Sequence, residues 1–344
     1  MIALTTAPIL ALQPAVPETL VELRGLAVDY GVGERRVRAV DGVDLTIRAG
    51  EIIGLAGESG CGKTTVANAL MQILRPPARV AGGSVLFRGV DLVGKSDEEL
   101  RRYRWRNVSM VFQSAMNALN PVMRVGDQFT DMMRAHERVS KRETLARAGD
   151  LMELVGIDKR RVRAYPHELS GGMRQRVIIA MALALRPELV IMDEPTTALD
   201  VVVQREILQQ IRDLQRELGF AVLFITHDLS LLLEFAHRIA IMYAGEIVEE
   251  APSVRLHTEP LHPYTIGLMR SFPPLTGPIE PMTGIPGSPP DLADPPSGCR
   301  FHPRCPHCLP DDGALFFRQT TERPELRVLA PGHSVACHLV GGGR

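Results

Sequence analysis

Residues 57–64 read GESGCGKT, and these residue types at this spacing are suited to holding the phosphates of a nucleotide. Glycines let backbone N–H groups turn inward around an anion, and the helix that follows directs its positive end at the anion. Lys63 adds a point charge, and Thr64 offers a hydroxyl to Mg²⁺. The alternative is a glycine-rich turn with no ligand. The predicted phosphate-binding residues are Gly57, Glu58, Ser59, Gly60, Cys61, Gly62, Lys63, Thr64 and Thr65.

A second element, LVIMDEP from Leu189 to Pro195, is an apolar strand that ends in two acids. In a chain that already has a phosphate loop, we expect Asp193 to hold Mg²⁺. Glu194 is then expected to polarise the water that attacks the terminal phosphate. The alternative is that the two acids merely cap the end of a strand.

Between these elements lies LSGGMRQR, which is followed by an apolar run of helical length. Ser170, Gly171 and Gly172 stand at the start of that helix, where backbone N–H groups have no helical partner. The chain therefore has a second predicted anion-binding helix start.

The three elements, in this order, resemble the ATP-binding cassette ATPases, which are the motor subunits of ABC transporters. The resemblance implies an α/β fold: a P-loop NTPase core with an antiparallel β subdomain, a helical subdomain and a small C-terminal Cys-containing extension. It also implies that the Ser-Gly-Gly element binds the γ-phosphate of ATP held by the opposite subunit. Two such chains would then meet head to tail around two nucleotides.

Four further positions match the family pattern one by one. The resemblance implies that Tyr30 stacks on adenine and that His227 touches the γ-phosphate. It implies that Gln113 links the Mg²⁺ and water site to the transmembrane partner, and that Asp200 contacts the other subunit. Taken alone, each of these assignments is weak evidence of function, because a strand tyrosine often packs in a core and a lone histidine or glutamine is more often structural. The expected catalytic residues are Glu194, His227 and Gln113.

Two positions depart from the usual family pattern. Met173 stands where the signature most often has glutamine, which weakens a polar contact to the partner's nucleotide, although we expect activity to survive. Cys61 stands where serine is common. In an electropositive turn we expect it to favour the thiolate and to be a site of alkylation or oxidation.

Composition fits a chain with a large core and no membrane span. The 344 residues are 45% hydrophobic and 23% charged, and the apolar run from Val177 to Leu185 is far shorter than the roughly 20 residues needed to cross a bilayer. A net charge of −1 argues against a nucleic-acid surface, and the basic run RRYRWR is interpreted as a solvated surface. Residues 1–18 are expected to form a flexible arm rather than a secretory signal, since they lack a basic start.

The pattern along the chain predicts three parts. Residues 19–250 are assigned to the ATPase domain, with a helical subdomain at about 96–184. Val201 to Leu218 is predicted to be an amphipathic helix closed by Gly219. Residues 251–344 are assigned to a C-terminal region with no long periodic element, in which a proline-rich linker is followed by a small appended domain.

The segment EPLHPYTIGLMRSFP closely resembles the C-terminal element of the oligopeptide/dipeptide (nickel) importer subgroup, on the residues His262, Pro263, Tyr264, Thr265 and Gly267. The resemblance implies import at the cytoplasmic face of the membrane, with two transmembrane permeases and, indirectly, an extracytoplasmic substrate-binding protein. A second ATPase subunit is expected, with a paralogue favoured over an identical copy.

Short peptides are the favoured cargo, and nickel complexes and oligosaccharides stay open. Outside transport, the alternatives are an ABC ATPase of translation or DNA repair, or a P-loop kinase or nucleotide-binding regulator. The HPYT segment argues against the first alternative, and the Ser-Gly-Gly element argues against the second.

Four cysteines, Cys299, Cys305, Cys308 and Cys337, follow the spacing C-x5-C-x2-C-x28-C. The resemblance implies a 4Fe–4S cluster on four thiolates here, although the third cysteine comes earlier than the subgroup's spacing leads one to expect. Zinc is the competing ligand, since histidines nearby offer mixed donor sets, and thiols that merely pack are the remaining alternative. The histidines are His302, His307, His333 and His338.

Overall fold

The computed structural model describes residues 18–31, 33, 36–113, 118–196, 200–271 and 284–340. The predicted N-terminal arm, apart from Glu18, and residues 272–283 of the proline-rich linker lie outside this described part. Within it, no helix is both long and apolar enough to cross a membrane.

The strands and helices follow in chain order. The strands are β1 (Thr19–Tyr30), β2 (Val37–Arg48), β3 (Ile52–Ala56), β4 (Arg79–Phe87), β5 (Val90–Asp91), β6 (Val108–Val111), β7 (Leu189–Asp193), β8 (Ala221–Thr226), β9 (Arg238–Tyr243), β10 (Glu246–Pro252), β11 (Arg327–Ala330) and β12 (His333–Val335). The helices are α1 (Lys63–Leu70), α2 (Asp97–Tyr103), α3 (Val125–His136), α4 (Lys141–Leu154), α5 (Gly171–Leu183), α6 (Val201–Leu218), α7 (Leu229–Phe235), α8 (Ser253–Thr258), α9 (Pro263–Arg270) and α10 (Gly313–Thr321). Short 3₁₀ helices cover Lys159–Arg163, Pro166–Glu168, His302–Arg304 and Pro310–Asp312.

The main sheet has the strand order β11-β12-β10-β9-β3-β8-β7-β6, and its strands from β9 to β6 run parallel. Strands β3, β7 and β8 are buried along their whole length, as expected for parallel strands covered on both faces. Ala56 pairs with Thr226, and Ile225 pairs with Asp193, so three neighbouring strands end at the same level. The loops that follow them emerge at one edge of the sheet, where parallel α/β folds bind ligands.

A second, antiparallel sheet has the order β2-β1-β4-β5. Its apolar face packs together with α1 and one face of the main sheet in a core that includes Leu26, Val28, Val66 and Leu70. The opposite face of the main sheet lies against helices α3 to α7 in a second core, centred on Phe129, Val177 and Phe224. The α/β class with an antiparallel β unit is thus confirmed.

Residues 96–184 form α2 to α5, but they also contain β6, which pairs with β7 at the edge of the main sheet. This strand is four buried residues long, too short to show a period in the sequence. Tyr103, within the basic run RRYRWR, is buried edge-on against Phe87 with ring centroids 5.2 Å apart. The interpretation of that whole run as a solvated surface was therefore wrong.

The helix α6 runs from Val201 to Leu218, and Gly219 ends it with a left-handed φ of 75°, as predicted. After β10 the helices and strands are short, and two of the strands return to the main sheet. Strand β12 pairs with β10 through Glu249 and Val335, and β11 extends the sheet beyond it. Because the partners lie far apart in sequence, no local pattern indicated this pairing.

Candidate nucleotide site

The phosphate loop lies between β3 and α1, and two of its glycines are required by packing. A Cβ at Gly57 would lie 2.1 Å from the carbonyl oxygen of Met242, and one at Gly62 would lie 2.4 Å from that of Ala39. Both also have positive φ, at 153° and 108°. A Cβ at Gly60 would meet nothing within 4 Å, so the loop is open on that side.

Lys63 is held at the mouth of this loop. Its Nζ donates hydrogen bonds to the carbonyl oxygens of Gly57, at 2.7 Å, and Glu58, at 2.9 Å. The first turn of α1 contains no acidic residue, and no side chain among the described residues caps it. The N–H groups of the helix start and the lysine are thus arranged for an anion.

Asp193 ends β7 beside the loop and is only 2% exposed. Its Oδ1 has no hydrogen-bond partner within the described residues. Burial raises the pKa of Asp193 and outweighs the opposing effects of the nearby Thr64 hydroxyl and the charge of Lys63. An orphaned carboxylate oxygen beside a hydroxyl is the donor set that a hard cation prefers, so these residues fit Mg²⁺.

Glu194 follows with a left-handed φ of 46°, which turns its side chain at the strand end. Its Oε2 accepts a hydrogen bond of 3.1 Å from Nε2 of Gln113, and Nδ1 of His227 lies 3.2 Å from its Oε1. These three side chains follow the ends of the neighbouring strands β6, β7 and β8. The structure therefore brings the three predicted catalytic residues together.

Tyr30 is the last residue of β1, and its hydroxyl lies 3.3 Å from Oγ1 of Thr65 in α1. The tyrosine thus lies beside the helix that the phosphate loop opens. Its stacking on adenine stays a prediction.

The predicted signature residues form a second, separate group. Oγ of Ser170 caps α5 by accepting from the N–H of Met173 at 3.3 Å. A Cβ at Gly172 would lie 3.0 Å from Val203, whose own N–H is bonded to Asp200 at 3.0 Å. Within the described ranges, no hydrogen bond joins this group to the phosphate loop. One chain thus carries two separate groups that are suited to binding phosphate: the phosphate loop and the start of α5.

The environment of Cys61 differs from the prediction of a reactive thiolate. Its side chain turns inward, the residue is 5% exposed, and Sγ lies 3.7 Å from Nζ of Lys63. Burial raises the pKa of the Cys61 thiol and outweighs the nearby lysine. The thiolate interpretation was wrong because it took the turn's charge into account but not the side chain's direction.

The four C-terminal cysteines do not fit a metal centre in this structure. Among the described residues, no three or more His, Cys, Asp or Glu side chains converge as a metal-binding group. Burial raises the pKa of Cys299 to about 12 and that of Cys337 to about 11, which favours the protonated thiols. Two histidines considered for zinc are engaged elsewhere: Nε2 of His333 lies 2.8 Å from Glu249, and Nδ1 of His302 lies 3.0 Å from the carbonyl oxygen of Cys299.

Sequence reasoning missed two residues that touch the phosphate loop. The hydroxyl of Tyr264 accepts a 2.9 Å hydrogen bond from the N–H of Glu58, and Arg304 binds the carboxylate of the same glutamate. Tyr264 was noted only as part of the HPYT segment, and Arg304 was not singled out. The sequence offered one signal: Glu58 is an acidic residue inside a phosphate loop, and a basic partner elsewhere in the chain could have been expected for it.

Comparisons with known proteins agree with this geometry. Residues 40–197 match the family described as ABC transporter, and residues 248–311 match the family described as Oligopeptide/dipeptide transporter, C-terminal region. The chain is 44% identical to the oligopeptide transport ATP-binding protein OppD of Bacillus subtilis over 85% of its own length and 83% of that protein's. The chain belongs to the ABC transporter ATP-binding proteins.

Other members of this family are similar over nearly the whole chain. OppD of Escherichia coli is 40% identical over 93% of each protein. The dipeptide transport ATP-binding protein DppD of Caldanaerobacter subterraneus is 39% identical over 94% of this chain and 98% of its own. Among solved structures, a dimeric post-hydrolysis state of the ATP-binding cassette MJ0796 bound to ADP and Pi is 30% identical, with a TM-score of 0.61, over 68% of this chain and 99% of that one. As a member, this chain is an ATPase.

Proposed function

We propose that this chain is the ATP-hydrolysing motor subunit of an ABC importer that takes up short peptides through two membrane permeases. The observation that carries the proposal is the division of the site. One group contains Lys63, Asp193 and Glu194, and the other contains Ser170 and Asp200, with no hydrogen bond between the groups in the described residues. A triphosphate between two chains in head-to-tail contact would complete both.

Each residue of the first group has a defined task in this proposal. Lys63 exchanges the carbonyl oxygens of Gly57 and Glu58 for phosphate oxygens when ATP binds. Thr64 and Asp193 would hold Mg²⁺, which neutralises charge on the phosphates. Glu194 accepts a proton from the attacking water.

The neighbours of Glu194 assist it. Gln113 and His227 fix the carboxylate from two sides, at 3.1 and 3.2 Å. His227 is half exposed, with 53% of its side chain accessible, so it can turn towards a bound γ-phosphate. Gln113 begins the segment that the family resemblance places against the permease, and Phe112 beside it is an exposed aromatic residue. The proposal therefore assigns the connection between the site and the membrane partner to the segment that Gln113 begins.

Closure of the dimer depends on the terminal phosphate. In the proposal ATP joins Lys63 of one chain to Ser170 and Gly172 of the other, so ATP stabilises the closed pair by mass action and ADP does not. Closing drives the permeases, and hydrolysis reopens the pair. The chain would work as a peripheral subunit at the cytoplasmic face of the membrane, beside a second ATPase.

Peptides are proposed as cargo because the relatives' names state oligopeptide or dipeptide transport. Nickel and oligosaccharide import stay as alternatives, as does binding of iron–sulfur or zinc by the four cysteines, which the donor geometry does not support. Iron, sulfide and zinc analysis of anaerobically purified protein tests the last of these.

The test of the function is reconstitution. The chain should co-purify with two hydrophobic permeases encoded beside it, and the complex in vesicles should couple ATP hydrolysis to uptake of labelled di- to pentapeptides. A Lys63→Ala complex should assemble and fail to transport. Uptake of nickel or oligosaccharide without peptide uptake would show that peptides are not the cargo. Failure to assemble with any permease would refute the role in transport.

A further inference from the structure

The region after β10 contacts the phosphate loop at Glu58. It binds both the backbone N–H and the side chain of this residue. The hydroxyl of Tyr264, in α9, accepts from the N–H of Glu58 at 2.9 Å. The guanidinium of Arg304 donates to both carboxylate oxygens of Glu58, at 2.7 and 3.0 Å. Such a paired, charge-assisted contact is among the strongest that side chains form.

Arg304 is itself fixed by its surroundings. Only 6% of its side chain is exposed, and its Nε donates a 2.8 Å hydrogen bond to the carbonyl oxygen of Pro286. Its guanidinium lies 5.8 Å from the ring centroid of Tyr243 and 6.0 Å from that of Phe301. Burial is the largest single effect and works against the charged form, yet the hydrogen bonds and charges of Glu58 and Tyr243 together outweigh it and raise the pKa of Arg304. The cation is therefore already in place before any nucleotide arrives.

A free carboxylate at Glu58 would oppose nucleotide binding. Its backbone carbonyl is bonded to Nζ of Lys63, and its side chain is 26% exposed beside the loop. ATP brings several negative charges to this loop, and like charges at short distance in a partly buried site repel strongly. Pairing with Arg304 neutralises the carboxylate and so reduces that repulsion.

We propose that Arg304 is a positioning residue of the nucleotide site, which pairs with Glu58 and neutralises its charge beside the phosphate loop. The C-terminal region is then a working part of the ATP site and not only a docked extension. This inference rests on the proposed role of the loop in binding ATP. It assigns no contact between Arg304 and the nucleotide.

The experiment measures MgATP and MgADP affinity by calorimetry on the full chain. Arg304→Gln should weaken both nucleotides by roughly tenfold to a hundredfold, because it leaves one unpaired negative charge close to the phosphates. Higher salt should reduce the loss, since it screens that charge. The turnover rate at saturating ATP should change by less than about threefold, as for a loss of uniform binding.

A charge-rescue variant separates this role from simple stabilisation of the fold. Glu58→Gln in the Arg304→Gln background should restore affinity to within about threefold of the wild type, although the ion pair is still missing. Arg304→Lys keeps the charge and should retain most of the affinity. If Arg304→Gln does not fold, Arg304→Lys and the doubly substituted chain still decide the question.

Arg300 supplies the matched control. It lies four residues earlier, is similarly buried with 10% of its side chain exposed, and pairs with Asp41 and with Glu246, at 2.9 Å. Among the described residues it makes no hydrogen bond or ion pair with the phosphate loop itself. Arg300→Gln should lower thermal stability and leave ATP affinity within about twofold of the wild type. Three outcomes would overturn the inference: unchanged affinity in Arg304→Gln, no rescue by Glu58→Gln, or an equal loss in Arg300→Gln. A wild-type chain unable to bind ATP would instead overturn the proposed function, and this inference with it.

Discussion

Replacing Asp193 with asparagine should stabilise the free chain while abolishing hydrolysis. Asp193 is 2% exposed, and its Oδ1 has no hydrogen-bond partner in the described part of the chain. A buried polar group without a partner costs about 1–3 kcal/mol, and a charge adds to that cost. Because asparagine removes the buried charge but keeps a buried polar group, only part of this cost is recovered, and we expect Asp193→Asn to raise the free energy of unfolding by about 1–2 kcal/mol.

The stability gained by Asp193→Asn should increase as pH rises. The folded-state pKa of Asp193 is raised above its unfolded value, so the folded chain holds the proton more tightly. Stability of the wild type is then lost as pH rises through the interval between the two values. Wild type and variant should differ least below the unfolded pKa of about 3.9 and most near neutral pH.

Thermal unfolding followed by circular dichroism measures this difference. Near neutral pH and without nucleotide, the melting temperature of Asp193→Asn should be higher by about 2–5 °C. MgATP should raise the melting temperature of the wild type more than that of the variant, because the variant loses a ligand for Mg²⁺. Asp200→Asn is the control, since its carboxylate caps α6 and asparagine caps equally well. A lower melting temperature for Asp193→Asn, or an equal rise in the control, would refute the reasoning.

Three further predictions concern the phosphate loop. Lys63→Ala should weaken ATP binding by at least about tenfold in calorimetry, since it removes the point charge, and unchanged affinity would exclude Lys63 from the phosphate role. Gly62→Ala should lower the melting temperature and prevent ATP binding, because its Cβ would lie 2.4 Å from the carbonyl oxygen of Ala39; a stable, ATP-binding variant would contradict the packing argument. Cys61 should react with iodoacetamide more slowly than free cysteine at pH about 8, because burial raises its pKa, and mass spectrometry showing rapid labelling would contradict its inward orientation.

The parts of the site that were predictable from sequence are local. The order of strand, glycine-rich loop and helix is contained in adjacent residues, and so is the apolar run that ends in Asp193 and Glu194. The meeting of Glu194 with His227 also follows, because each residue comes after an apolar strand of a parallel sheet and such strands end at one edge. The arrival of Gln113 beside them does not, because it depends on β6, which is too short to show a period.

What could not be predicted depends on contacts between distant segments. No periodicity indicates that Arg304 binds Glu58 or that β12 pairs with β10, because the partners are brought together only by the complete fold. The direction of the Cys61 side chain likewise depends on the residues that surround it, which include Tyr264 of α9. The cysteine spacing was read as metal ligation because spacing alone does not report where side chains converge.

The most direct test of the ATP-bridged dimer is sedimentation of Glu194→Gln with nucleotide, on the chain alone and on the co-expressed ATPase pair. Glu194→Gln keeps the shape beside Gln113 and His227 but removes the group that accepts the proton, so MgATP should trap a stable dimer that does not turn over. MgADP should leave monomers. Adding Gly171→Asp, which places a carboxylate at the second helix start, should abolish the dimer while ATP still binds the phosphate loop. A Glu194→Gln chain that stays monomeric with saturating MgATP in both preparations, or a dimer that survives Gly171→Asp, would contradict the account.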